Sequence, residues 1–364
     1  MAFDDIPGNA PLKAILRSAL RRKSALPSLL FCGAAGAGQR ETALELAKAF
    51  NCLHLDDDAC GECPSCRSIA AGNHPDIIEV INLPRKQKKT AADGGRENGA
   101  AAGDEDAAED AVAEPAGSGS KPRNIVIDQM RRAIELALMK PMIGRKRVFL
   151  VDDASEMEAA AANASLKILE EPPAFSQFIL VAGNPDVLLP TIRSRCQTLV
   201  FGPVGTKEII AVLRARGLDE TRAVSVAAVV RGDYQRALNT DWDEFFEERG
   251  RAWDMFRAIL TGSDGGDFIR RHAGGRKAAP REEIDALLGF FRGFGRDLLV
   301  LGETAGGGPL FNSDLEERLQ ELASTVPPER ALRLIRAVDA AQASLEKYAN
   351  VRLLASVLFA RMTG

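Results

Sequence analysis

Residues 29–47, LLFCGAAGAGQRETALELA, constrain the fold more than any other stretch of the chain. An apolar strand end, Leu29-Leu30-Phe31, runs into Gly33, Gly36 and Gly38 and then into an amphipathic helix. Consecutive backbone N–H groups at a helix start form an anion cradle, and glycine lets the backbone come close to the ligand. A working nucleotide loop of this kind also needs a Lys for the β/γ-phosphates and a hydroxyl for Mg²⁺. Those places hold Gln39 and Arg40. Gln39 carries no charge, and Arg40 is charged but cannot ligate a metal. From the residues alone two readings stand: a glycine-rich turn with no ligand, or a weak nucleotide site unable to hydrolyse.

The surrounding pattern extends the unit into a sheet. Residues 7–22 predict a first amphipathic helix, with Leu12, Ile15, Leu16 and Leu20 on one face. After the glycine loop come a helix over about 39–51, a Cys cluster at 52–66 and a strand, DIIEVI, at 76–81. A helix over about 127–139 precedes the strand RVFLVDDA, 147–154. A helix from about Ala159 to Leu169 stops before Pro172-Pro173, which cannot continue it. The strand QFILVAG follows at 177–183. Strands alternating with helices predict a parallel sheet with helices on both faces. From about 204 onward only helices are expected: a short unit to 241, then a long helical region, 242–364. At 364 residues the chain exceeds one ordinary core, in keeping with two or three domains.

Between these elements, residues 84–123 lack apolar periodicity. They open with Arg85, Lys86, Lys88 and Lys89, then carry eight acids and one base between Asp93 and Glu114. Such a stretch cannot bury enough apolar area to offset the entropy of ordering and is expected to be disordered. The net charge of −4 gives no general pull toward nucleic acid or anionic membrane. No apolar run approaches the roughly 20 residues needed to span a bilayer, and the start, MAFDDIPGNAPLKAIL, lacks a secretory pattern. A cytoplasmic, reducing home is therefore expected, where six Cys read as metal ligands or core residues rather than disulfides.

Three further constellations carry chemistry. Cys52, Cys60, Cys63 and Cys66 follow C-x7-C-x2-C-x2-C, which suits tetrahedral Zn²⁺. With all four positions filled by protein, the zinc would be structural. His54, His74 and the acids Asp56, Asp57 and Asp58 then read as bystanders, and Cys32 and Cys196 as packed. The strand VFLVDDA ends in Asp152, which fits a Mg²⁺ ligand, and Asp153, placed for a general base but one methylene shorter than Glu. The alternative is a solvated carboxylate pair. Last, LLPTIRSRCQTLVF sets Arg193 and Arg195 between two apolar segments, where a surface charge is the plain reading.

Taken in order, the glycine loop, the four Cys, VDDA, ASLKILEEPPAFSQFILVAGNP and SRC resemble the clamp-loader branch of the AAA+ proteins. Within that branch the pattern is most similar to the delta-prime subunits of bacterial DNA polymerase III clamp loaders. The resemblance covers about 1–83 and 124–240 and continues more faintly to the C-terminus; the 84–123 insert lies outside it. It implies an α/β AAA+ domain with a P-loop-type parallel sheet (1–203), a small helical lid (204–241) and a helical collar (242–364). The collar would be held by apolar faces such as Leu332, Leu334, Ile335 and Val338.

By the same resemblance, gamma/tau and delta subunits would be the neighbours, with the sliding clamp and primed DNA reached through the assembly and no membrane involved. Gln39 and Arg40 depart from the Lys and Thr of the ATP-binding sisters. The lid sensor position falls on Gln235, with Arg236 one place on, and the strand sensor on Ala182 or Gly183, with Asn184 as a stand-in. These departures imply that ATP is neither bound nor hydrolysed here. The SRC motif instead implies that Arg195 serves as an arginine finger for a neighbour's ATP. Two rivals are an ATP-hydrolysing gamma/tau-like subunit and a zinc-containing DNA-binding adaptor using Arg131-Arg132 and Arg145-Lys146-Arg147.

Overall fold

The computed structural model describes residues 2–22, 26–56, 58–84, 123–262, 281–304, 308–346 and 350–363. Five parallel strands form its sheet: β1 (Leu29–Gly33), β2 (Ile77–Val80), β5 (Arg147–Val151), β6 (Ser176–Ala182) and β7 (Gln197–Phe201), in the order β2-β5-β6-β1-β7. Two short strands, β3 (Leu83–Pro84) and β4 (Arg123–Asn124), pair antiparallel beside it. The disorder expected over 84–123 does not hold at its two ends, where the pairing of β3 with β4 orders Pro84 against Arg123; residues 85–122 lie outside the described residues.

Residues 29–32 of β1 and all of β5 are buried on both faces, as expected of inner strands of a parallel sheet. Their alternate side chains feed two cores. One face gathers Leu30, Cys32, Phe149, Val151, Phe178 and Leu180 beneath α4 (Ile127–Ala137), α5 (Ala159–Glu170) and α6 (Pro190–Arg193). The other gathers Leu29, Phe31, Val148, Ile179 and Phe201 beneath α1 (Ala10–Arg21), α2 (Gln39–Asn51) and α3 (Pro64–Ala70). Phe149 and Phe178 stack at 4.6 Å on the first face, and Phe31 and Phe201 meet at 5.2 Å on the second.

Some details depart from the sequence reading. In α1, Leu16 and Leu20 are buried but Ile15 is exposed, and Lys13 turns inward to the carbonyl of Ile6. Helix α4 stops at Ala137, so Leu138 and Met139 stand exposed in the following loop. Strand β7 was not foreseen. It is an edge strand, with Leu199 and Phe201 inward and Val200 outward.

Beyond β7 the described residues contain only helices. They are α7 (Thr206–Ala215), α8 (Glu220–Val230), α9 (Tyr234–Asn239), α10 (Trp242–Thr261), α11 (Arg281–Thr304), α12 (Glu316–Thr325), α13 (Pro328–Glu346) and α14 (Val351–Thr363). One core runs through all of them, from Val226 and Val230 to Phe256, Leu288, Phe291 and Phe294. Leu334 and Val338 are buried on the inner face of α13, whereas Ile335 is half-buried and Leu332 exposed.

Candidate functional site

The glycine loop lies where β1 ends and α2 begins. Gly33 has φ 134°, and a Cβ there would stand 2.0 Å from the Phe201 carbonyl oxygen, so only glycine lets β1 and β7 approach this closely. At Gly36, with φ 60°, a Cβ would collide with the Asp233 carboxylate at 1.7 Å. The amide of Tyr234 donates to the Gly36 carbonyl at 2.9 Å. The start of α9 is therefore seated directly on the loop. Gly38 caps α2 and accepts from the amide and hydroxyl of Thr42.

The two residues that replace Lys and Ser/Thr are both engaged. Gln39 is buried, and its Nε2 donates to the Ala34 carbonyl at 2.6 Å, inside its own loop. Arg40 reaches across to the sheet: Nε is 3.1 Å from Asp152 and Nη2 is 2.5 Å from Glu79. Burial opposes the Arg40 charge, yet the Glu79 and Asp152 carboxylates more than offset it and hold the guanidinium protonated. A fixed cation thus bridges the carboxylate at the place expected for a Mg²⁺ ligand. Asp153 follows in the left-handed conformation at the start of a short turn. Burial, then Glu156 and Asp152, push its carboxyl upward.

These groups open into a cavity of about 850 Å³ bounded by the loop, α9, α11 and α13. Among its described lining residues, Arg40, Arg236 and Arg281 face Glu41, Asp152, Asp233 and Asp285. Burial raises the Glu41 carboxyl, and Asp152 and Asp233 add to that. Gln235 lines the cavity too, while Arg236 is drawn to Asp285 at 2.5 Å. Arg231 reaches the same Asp285 at 3.6 Å and Gln342 at 3.0 Å. Asn184 caps its own turn by accepting from the Asp186 amide at 2.9 Å, and the Gly183 carbonyl accepts from Gly33.

Arg195 lies elsewhere. It precedes β7, whose first residue, Gln197, pairs with Leu29, the first residue of β1, whereas the loop follows the last residue of β1. About 13 Å of strand, at about 3.3 Å per residue, separates the two ends. Arg195 Nε is 2.7 Å from Glu170, the last residue of α5, and Nη1 donates to the Thr191 carbonyl at 3.1 Å. Arg193 pairs with Asp186 at 2.8 Å.

The four Cys do converge. Cys52 ends α2, Cys63 caps α3 and Cys66 lies within it; the Sγ atoms of all four, with Cys60, lie within 4.8 Å of one another. Four thiolates around Zn²⁺ at about 2.3 Å would stand at comparable separations, so the donor set fits a structural metal. Backbone amides of Cys60, Cys63 and Cys66 point at the sulfurs of Cys52, Cys60 and Cys63 at 3.3, 3.4 and 3.5 Å, as expected around thiolates. Burial raises the Cys63 thiol, but N–H donors from Leu53 and Cys66 outweigh it and bring it to about 6. Two of the bystanders have their own partners: His74 meets Ser65 and the Asp76 amide, and Asp58 holds the Phe3 amide and Arg17. Asp57 lies outside the described residues. Cys32 and Cys196 are buried, as expected of packed residues.

One buried charge escaped the sequence reading. Asp76 is fully enclosed and accepts from the amides of Met142, Ile143 and Gly144 at 2.7, 2.9 and 2.8 Å and from Arg147 at 3.0 and 3.2 Å. Arg147 is thereby withdrawn from the basic run at 145–147, and Lys146 lies over the Phe50 ring.

The family model described as DNA polymerase III, delta subunit, matches residues 8–205. A Bacillus subtilis delta-prime subunit is 27% identical over 67% of this chain and 63% of its own length. One from Pseudomonas aeruginosa is 33% identical over 46% and 40%. A Mycobacterium tuberculosis gamma/tau subunit is 28% identical over 99% of this chain and 61% of its own. The chain thus spans less than two thirds of the length of these relatives. A solved gamma subunit-related protein from Thermotoga maritima covers 97% of both chains at 18% identity and TM-score 0.38. No helix among the described residues is long and apolar enough to cross a membrane. With its glycine loop, parallel sheet and matching N-terminal half, the chain belongs to the delta-prime/gamma/tau family of DNA polymerase III clamp-loader subunits.

Proposed function

We propose that this chain is a non-hydrolysing, delta-prime-type subunit of the clamp loader. It would help ATP-driven gamma or tau neighbours place the sliding clamp on primed DNA. The observation that carries this reading is Arg40, whose guanidinium bridges Asp152 and Glu79 where a nucleotide site needs a divalent cation. Asp233, packed against Gly36, adds a carboxylate at the anion cradle. Calorimetric titration of the isolated chain with MgATP tests the reading. No heat of binding is expected at concentrations that saturate an active subunit. Micromolar, Mg²⁺-dependent binding would favour the gamma/tau-like alternative, which has in its support the alignment of gamma/tau over 99% of the chain.

In the same reading Arg195 acts in trans. The strand length between Arg195 and its own glycine loop supports this, because an arginine at the amino ends of the strands cannot serve a loop at their carboxyl ends. The four Cys hold a structural Zn²⁺ beside α2 and α3 that has no open position for chemistry. The DNA-binding adaptor would have to do without Arg147, which is buried against Asp76. Delta, gamma and tau chains are the proposed partners, with residues 204–241 as lid and 242–364 as collar.

A further inference from the structure

A second cavity, of about 330 Å³, lies where α8 meets α11, away from the glycine loop. Its described lining is Thr206, Ala227, Ala228, Gly289, Gly293 and Phe311 together with three arginines, Arg231, Arg292 and Arg296, and contains no carboxylate. Space for it comes from small residues. Ala227 and Ala228 on α8 face Gly289 and Gly293 on α11, and a Cβ on Gly289 would already press on Val229 at 3.0 Å. Arg292 and Arg296 stand one helical turn apart on α11, each beside one of these positions.

Each arginine has at least one partner that does not line the cavity. Arg292 Nε is 3.3 Å from Asp339, and Arg231 leans on Gln342 and Asp285. Arg296 meets Asp297 at 2.9 Å, donates to the Pro309 carbonyl at 2.5 Å and lies 4.1 Å over the Phe311 ring. None of Asp285, Asp297 and Asp339 reaches the lining. Three arginines therefore line one hollow, with no carboxylate among its described lining residues, in a chain whose net charge is −4. A guanidinium presents five donors in a planar fork, so a pair can give one anchored edge to a carboxylate and keep others for a ligand.

We infer that this lid–collar cavity binds a phosphate group, carried by a small phosphate ester or by the backbone of single-stranded DNA. The inference does not depend on Arg195 or on the state of the glycine loop. The full chain is titrated with inorganic pyrophosphate by calorimetry and with a fluorescein-labelled single-stranded oligonucleotide by anisotropy. Pyrophosphate binding marks a small ester; oligonucleotide binding alone, weakening steeply with salt, marks the DNA backbone. In either case Arg292→Gln with Arg296→Gln is expected to weaken binding by at least about tenfold, since each removes a charge-assisted contact. Ala228→Asp, which adds a carboxylate to the floor without touching any ion pair, is expected to do the same. Arg214→Gln, whose guanidinium pairs with Glu220 at 2.8 Å on the outer surface, is expected to leave binding unchanged. Thermal melts of each variant confirm that the chain stays folded. The inference is overturned if neither probe binds, if binding survives both the double substitution and Ala228→Asp, or if Arg214→Gln weakens it equally.

Discussion

Two of the donors of Arg195 are already used within its own chain, on Glu170 and on the Thr191 carbonyl. Both partners of the ion pair are partly exposed, so the pair is worth about 0–1 kcal/mol and gives orientation rather than stability. In a reconstituted assembly Arg195→Ala is expected to lower clamp-loading ATPase by about 10³-fold or more. Glu170→Ala is expected to lower it by only about fivefold, the effect of about 1 kcal/mol of lost orientation, with the melting temperature of the chain unchanged. Steady-state ATP turnover checks both, and an unchanged rate for Arg195→Ala would remove its role in trans. Asp76 is the opposite kind of charge, buried and load-sharing. Burial raises its carboxyl, but the amides of Ile143, Gly144 and Met142 and the Arg147 guanidinium outweigh that and hold it below 3.8. Its folded value lies under its unfolded one. The stabilisation is therefore present above about pH 3.8 and is lost as pH falls through the folded value. Asp76→Asn leaves Arg147 buried without its counter-charge, and a loss of about 3–5 kcal/mol near neutrality is expected, with a flatter acid limb in a pH series of denaturant melts.

At the level of elements, the Cys cluster couples α2 to α3. If the metal is structural, chelation at neutral pH is expected to lower the melting temperature and loosen α3. Replacing the metal by Co²⁺ should give the visible absorption of tetrahedral thiolate coordination. Cys63→Ser should abolish that spectrum, and metal analysis of the purified chain gives the stoichiometry. This cluster was legible in the sequence because its ligands are local and their spacing is itself the signal. Strands β1, β2, β5 and β6 were legible for a related reason: the inner ones read as unbroken apolar runs. Strand β7 was not, because an edge strand with Gln197, Thr198 and Val200 turned outward carries too short an alternation to stand apart from a loop. The groups that complete the site were also beyond reach. Glu79, Asp233 and Glu170 contact Arg40, Gly36 and Arg195 only through the tertiary fold, and nothing in their own neighbourhoods marks them.

On the scale of the whole molecule, the large cavity lies where the glycine loop meets α9, α11 and α13. The Tyr234 amide holds α9 to the glycine loop with the Asp233 carboxylate packed against Gly36, while Arg231 and Arg236 tie the same region to Asp285 on α11. Restoring the missing loop chemistry with Gln39→Lys and Arg40→Thr is therefore expected to leave MgATP binding weak. Adding Asp233→Ala to that pair should strengthen it by about tenfold or more, as one like charge is removed from the phosphate cradle. Micromolar affinity in the double variant alone would show that Asp233 does not guard the loop. Elsewhere, β3 and β4 pair Leu83 with Asn124 and Pro84 with Arg123, so the chain leaves the domain and re-enters it at a single point. Because the pairing brings the two ends of the intervening stretch together beside each other, a tag or a probe inserted between them is expected to leave the register of β2 and the seat of α4 unchanged.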